Sequence, residues 1–202
     1  MDSTTKIEML SNHYNETCSL CKGAQTDRNK MFLYVCLVLD IQFLFIFEPR
    51  SMITVLTSWL KEAHDVNFGF QVEVLQVLLW LVLLYCTMRY YQLNCYVERQ
   101  YKYIHNLEKQ MSEISSLVLN RESSNYLDSY PKVLYAIHII YTWLFPVLFE
   151  VIIVAKIVSE IKNSSFGMPI IINCILFTCC FVLTILHLLF LHPCKKRTVA
   201  KI

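Results

Sequence analysis

The chain has 202 residues, of which 55 % are hydrophobic and only 17 % charged, against about 25 % charged in a typical globular chain; its mean hydropathy is +0.43. That balance excludes an ordinary soluble domain and predicts a membrane protein. The formal net charge of +2, with no basic stripe interleaved with aromatics outside the membrane flanks, argues against direct binding of nucleic acid.

Residues 1–30 are polar and read as a cytoplasmic tail. They contain neither an apolar run nor a small-residue cleavage site, so no removable signal peptide is expected. "CSLCKG", with Cys18 and Cys21, has the spacing of half a zinc site, and His13 is a conceivable third ligand. A second CxxC or a suitably spaced His pair is missing, and the pair reads as unpaired cytosolic thiols.

A helix needs about 20 mostly apolar residues to cross the hydrocarbon core. The first span is residues 31–47, "MFLYVCLVLDIQFLFIF", which carries Asp40 near its centre. In "SMITVLTSWLKEA", residues 51–63, Met52, Val55, Leu56, Trp59 and Leu60 share one helical face. This is a short helix either on the outer membrane surface, with Trp59 as anchor, or packed on the rim of its own bundle. The second span lies in residues 70–90.

Residues 90–131 form a cytoplasmic helical arm and a turn. Leu93, Val97, Gln100, Ile104, Leu107, Met111, Ile114 and Val118 recur in alternating steps of four and three, a coiled-coil-like seam. No Gly or Pro interrupts residues 70–130, so span and arm together would reach roughly 75 Å at 1.5 Å per residue. An apolar seam in water requires cover, from a second copy or a soluble partner. Ile104, Leu107, Met111 and Ile114 are the candidate docking residues.

The third and fourth spans lie in 132–192, clearest at 133–155 and 168–191, followed by a basic tail at 193–202. Pro146 is expected to kink the third span. The fold class is therefore all-α: a polytopic membrane protein of four transmembrane helices, with a long cytoplasmic helical extension of the second.

Of the 18 Lys and Arg residues, 14 fall in the N-terminal tail, the middle arm and the C-terminal tail. The positive-inside rule places all three in the cytoplasm. Arg50, Lys61, Lys156 and Lys162 are assigned to the two outer connectors. No cysteine lies in either outer connector, and a disulfide framework is not expected.

The intramembrane polar candidates are Asp40, Glu73, Glu150 and His138. A charge at the bilayer centre costs about 2.5–3.5 kcal/mol on insertion scales, so Asp40 is expected to face the bundle interior, a cavity or a partner helix. It then either bonds a polar group such as His138 or Asn173, with Glu150 pairing to Lys156 or Arg50, or belongs with the acidic outer set of Glu48, Glu73 and Glu150 to an ion or proton path or an outward-facing sensing site. His187 reads as an interfacial residue. There is no GxSxG, P-loop, HExxH or glycine-rich turn, and the six histidines are scattered. No enzymatic activity and no cofactor are expected.

The layout of residues 31–191, with short outer connectors and an arm "ERQYKYIHNLEKQM" followed by "RESSNYLDSYP", resembles the small membrane subunits of bacterial anti-phage systems. Among these it looks like the membrane subunit of the Kiwa system. The resemblance implies an inner-membrane, multi-pass subunit that detects phage attachment or injection and works with a soluble DNA-binding effector encoded nearby. No family site residue is carried over. Two functions from different classes stand: a sensor and docking subunit that recruits the effector through its arm, and a homo-oligomeric pore-forming effector lined by Asp40 or the acidic set.

Overall fold

The computed structural model describes residues 3–49, 72–115, 139–163 and 167–191, together with scattered helical positions between 51 and 62. It is helical throughout these residues: α1 (Ser3–Phe47), α2 (Val72–Ser115), a π-helical segment (Ile140–Leu144) running into α3 (Phe145–Asn163), and α4 (Met168–Leu191). Three of the helices, α1, α2 and α4, are long and apolar enough to cross a membrane. The exception, α3, carries Glu150, Lys156, Glu160 and Lys162 in 19 residues.

The stretch read as a tail is instead the first half of α1. Its half-buried and buried positions include Ile7, Leu10, Tyr14, Thr17, Cys21, Ala24 and Arg28, a repeat of three and four that keeps one face toward a neighbour. The end of the expected arm beyond Ser115, the turn expected at residues 121–131 and the interfacial Trp59 lie outside the described residues.

The chain divides into two compact units. The first takes the polar halves of α1 and α2 (Met1–Tyr34 and Met88–Ile139). Here the helices run antiparallel: His13 Nε2 and the Tyr103 hydroxyl lie 2.7 Å apart, Gln25 Nε2 donates to the Tyr101 hydroxyl at 2.7 Å, and Tyr14 donates to Glu108 Oε1 at 3.1 Å. The Phe32 and Tyr90 rings meet at 5.7 Å. Between these contacts Cys21, Ala24, Val97 and Ile104 form a small core flanked by Tyr14, Cys18, Leu93 and Tyr101. Burying each large aliphatic side chain contributes about 1.5–3 kcal/mol. The arm's seam thus finds its cover within the same chain.

The second unit comprises Val35–Thr87 and Ile140–Ile202. It is apolar outside and partly polar inside. Leu37, Leu44, Leu81, Val151, Ile175 and Leu186 are exposed, whereas Gln42, Thr87, Lys156, Glu160, Asn173 and Thr184 are buried. A surface of this kind suits lipid rather than water. The π-helical segment has a local cause. Pro146 has no N–H to give the carbonyl four residues back, and its ring crowds that carbonyl. The helix widens at Ile140–Leu144, the usual form of such a local bulge.

Candidate functional site

All four helices meet at one buried ion pair in the second unit. Lys156 and Glu160, one turn apart on α3, face inward with their side chains 1 % and 2 % exposed, and Lys156 Nζ lies 2.8 Å from Glu160 Oε1. From α2, Trp80 Nε1 donates to both carboxylate oxygens at 3.2 and 3.3 Å. From α4, Asn173 Nδ2 donates to Oε2 at 2.9 Å. From α1, the Phe45 ring lies under the ammonium, 5.6 Å from centroid to Nζ. A buried ion pair is sustained only when further hydrogen bonds and good geometry offset desolvation. Trp80, Asn173 and Phe45 supply them.

Further along α3, both Glu150 carboxylate oxygens are buried without a hydrogen-bond partner. Thr184 of α4 stands beside them, but its hydroxyl donates to the Cys180 carbonyl at 3.0 Å. Gln42 has neither amide atom paired, and Thr87 Oγ1 and Asn173 Oδ1 are likewise buried and unpaired. The buried face of α4 reads Ile170, Asn173, Leu176, Cys180, Thr184 and His187, and four of these six side chains carry a nitrogen, oxygen or sulfur.

The predicted site residues fare differently. Asp40 is exposed, not interior. The inward stripe of α1 passes through Val35, Val38, Leu39, Gln42 and Phe45, which leaves Asp40 among exposed Leu37, Ile41, Phe43 and Leu44. Asn173 bonds Glu160 rather than Asp40. Lys156 is not in an outer connector but buried in α3, and it pairs with Glu160 rather than Glu150. Glu73 is half-exposed; no hydrogen bond or ion pair joins it to Asp40 or Glu150. His187 is buried on the inward face of α4, one turn before its end. His138 lies outside the described residues. In the first unit Ile104 and Leu107 are buried, and Met111 and Ile114 half-buried. Among the described residues no group of three His, Cys, Asp or Glu could hold a metal ion, and His13 is engaged with Tyr103.

Glu160, and Lys156 as its buried partner rather than that of Glu150, are the site residues that pattern reading missed. Their signal was present in "VIIVAKIVSEI", a Lys-x-x-x-Glu spacing inside an apolar run, which puts opposite charges on one helical face. In the first unit the Tyr14 hydroxyl is held above its ordinary pKa by burial, then by Cys18 and by the Glu108 carboxylate it bonds. It stays a neutral donor.

The fold and its site define a helical membrane protein with an apolar exterior, a polar interior and a separate two-helix unit built from the polar halves of two spanning helices. Comparison with family models, curated proteins and solved structures returned no match.

Proposed function

We propose that the protein is a membrane-anchored docking subunit whose two-helix unit receives a soluble partner. The observation that carries this reading is the length of α1 and α2, 45 and 44 residues, more than twice the roughly 20 that a span uses. The surplus of both helices folds into one unit with its own core. Because Ile104 and Leu107 are used inside that unit, the partner sits on its outer faces, where Met9, Leu20, Tyr96 and Tyr103 are exposed. The antiviral setting, the inner membrane and a nearby-encoded effector rest on the resemblance in layout to the Kiwa membrane subunit.

The test is purification of the tagged full-length protein in detergent from cells that also express the neighbouring genes, with mass spectrometry of what accompanies it. A stoichiometric soluble protein, lost with Leu20→Arg and Tyr96→Arg, is the expected result. Purification of the chain without any soluble protein would sink the docking reading.

Exposed Asp40 favours a second reading, assembly of copies into a pore. A carboxylate on a lipid-facing surface costs about 2.5–3.5 kcal/mol, which contact with another subunit or a water-filled lumen would relieve. Single-channel conductance from the purified protein, abolished by Asp40→Leu, is expected on that reading; silent bilayers would exclude it.

A further inference from the structure

The buried polar groups of the second unit are not scattered; they are ordered along its length. The Glu160–Asn173 bond and the Glu150–Thr184 approach set α3 and α4 antiparallel. Trp80 stands level with the Glu160 carboxylate, and Phe45 with the Lys156 ammonium, which lies 2.8 Å from that carboxylate. At 1.5 Å per residue, Gln42 then falls about 5 Å from the ion pair along the bundle, Thr87 about 10 Å, Glu150 about 15 Å and His187 about 20 Å. The sequence of levels is Glu160 with Asn173, Lys156 with Gln42, Thr87, Glu150 with Thr184, and His187.

Four of these residues, Gln42, Thr87, Glu150 and Asn173, present buried polar atoms that no protein group satisfies. In hydrocarbon an unsatisfied polar group costs several kcal/mol. Groups of this kind are retained where they meet water, and polar, partnerless sites are those that hold it. The gaps between successive levels, about 5 Å by helical rise, suit bridging by single waters.

We propose that the interior of the second unit conducts protons, with Glu150 as its titrating relay. Glu150 carboxylate takes the extra proton of a hydronium ion on the Thr87 side, forming the carboxyl O–H and leaving a neutral water. It then returns that proton to a water on the Thr184 and His187 side, and the carboxylate is restored. One proton and one positive charge cross per cycle, driven by the membrane potential or a pH difference. The ionisable groups nearest this relay are Cys180 and His187 on α4, and Lys156 two levels away on α3, paired with Glu160 at 2.8 Å. The column suits protons rather than metal ions. Selective passage of a metal ion takes rings of oxygens that replace its hydration shell, and among the described residues no cluster of metal-holding side chains occurs.

The experiment is reconstitution of the purified full-length protein into liposomes with a trapped pH-sensitive dye, under a potassium gradient clamped with valinomycin. Wild type should acidify or alkalinise the lumen, according to the sign of the potential, faster than protein-free liposomes. Glu150→Gln should lower the protein-dependent rate at least about ten-fold, since a relay without its titrating group has no carrier, whereas Asp27→Asn, exposed in the first unit, should leave it unchanged. If Glu150→Gln does not purify as a monodisperse species, Thr87→Val, which removes the polar group of the level next to Glu150, takes its place and should also slow the flux. A wild-type rate equal to that of protein-free liposomes overturns the proposal, as does full flux in the monodisperse Glu150 variant. Loss of flux in Asp40→Asn alone would move the path to the exterior of the bundle and overturn it equally.

Discussion

Individual residues in this protein are constrained by what surrounds them, and three can be tested singly. Gly23 lies within α1, and a Cβ added there meets nothing within 4 Å. Glycine inside a helix costs about 0.5–1 kcal/mol relative to alanine, so Gly23→Ala should stabilise the first unit by that amount, measured as slower amide exchange in residues 13–30. Lys156 is the opposite case. Lys156→Met leaves Glu160 charged and buried, a loss of about 3–5 kcal/mol, and adding Glu160→Gln should restore much of it because the uncompensated charge is gone. Thermal unfolding in detergent of the single and double variants reads this directly. At Tyr14 the folded pKa is raised above the ordinary 10.0. The stability it contributes is therefore complete below pH 10 and is lost as pH rises further, when the unfolded chain ionises but the folded one resists. Tyr14→Phe should blunt the alkaline loss of helicity in the first unit; an unchanged alkaline limb would mean that Tyr14 plays no part in it.

At the scale of elements, the legibility of the fold depended on how its inward stripes are made. The α2 stripe through Val97, Ile104 and Leu107 was visible because branched aliphatics stand out against charge. The matching stripe in the first half of α1 runs through Ser11, Thr17, Cys18, Cys21 and Gln25, small and polar residues whose spacing says helix but whose chemistry says loop. Polar cross-links such as Gln25 to Tyr101 let so weakly apolar a face pack. The same blindness hid the buried polar site, since transfer scales price each residue alone and Lys156 is inexpensive only beside Glu160, Trp80 and Asn173. The interior placement of Asp40 failed for the converse reason: the face it takes depends on which neighbours flank α1. One element-scale outcome follows for Leu107, which is 3 % exposed. Leu107→Glu places a charge inside the two-helix unit, and the expected result is loss of exchange protection in both α1 and α2 of that unit, with protection of α4 retained.

For the molecule as a whole, the pairing of the two polar helix halves ties the N-terminal 30 residues and residues 88–115 to the same side of the membrane. Leu20→Cys and Tyr96→Cys, both at exposed positions, should react together with an impermeant maleimide. If the positive-inside rule sets the orientation, labelling is expected in inverted vesicles and not in intact cells; opposite labelling of the two positions would break the pairing.

The bond between Glu160 and Asn173, 13 positions apart, also bears on how the chain reaches its membrane. As α3 leaves the ribosome it carries two carboxylates and two ammonium groups and has no favourable reason to partition sideways out of the insertion channel. The amide that helps to satisfy Glu160 belongs to α4, which is synthesised only afterwards. α3 should therefore linger at the channel until α4 emerges, and the two should enter lipid together as a hairpin. In a nascent chain stopped before Asn173, a cysteine at exposed Val151 of α3 should still react with a water-soluble maleimide, whereas in one extended through Leu191 it should not.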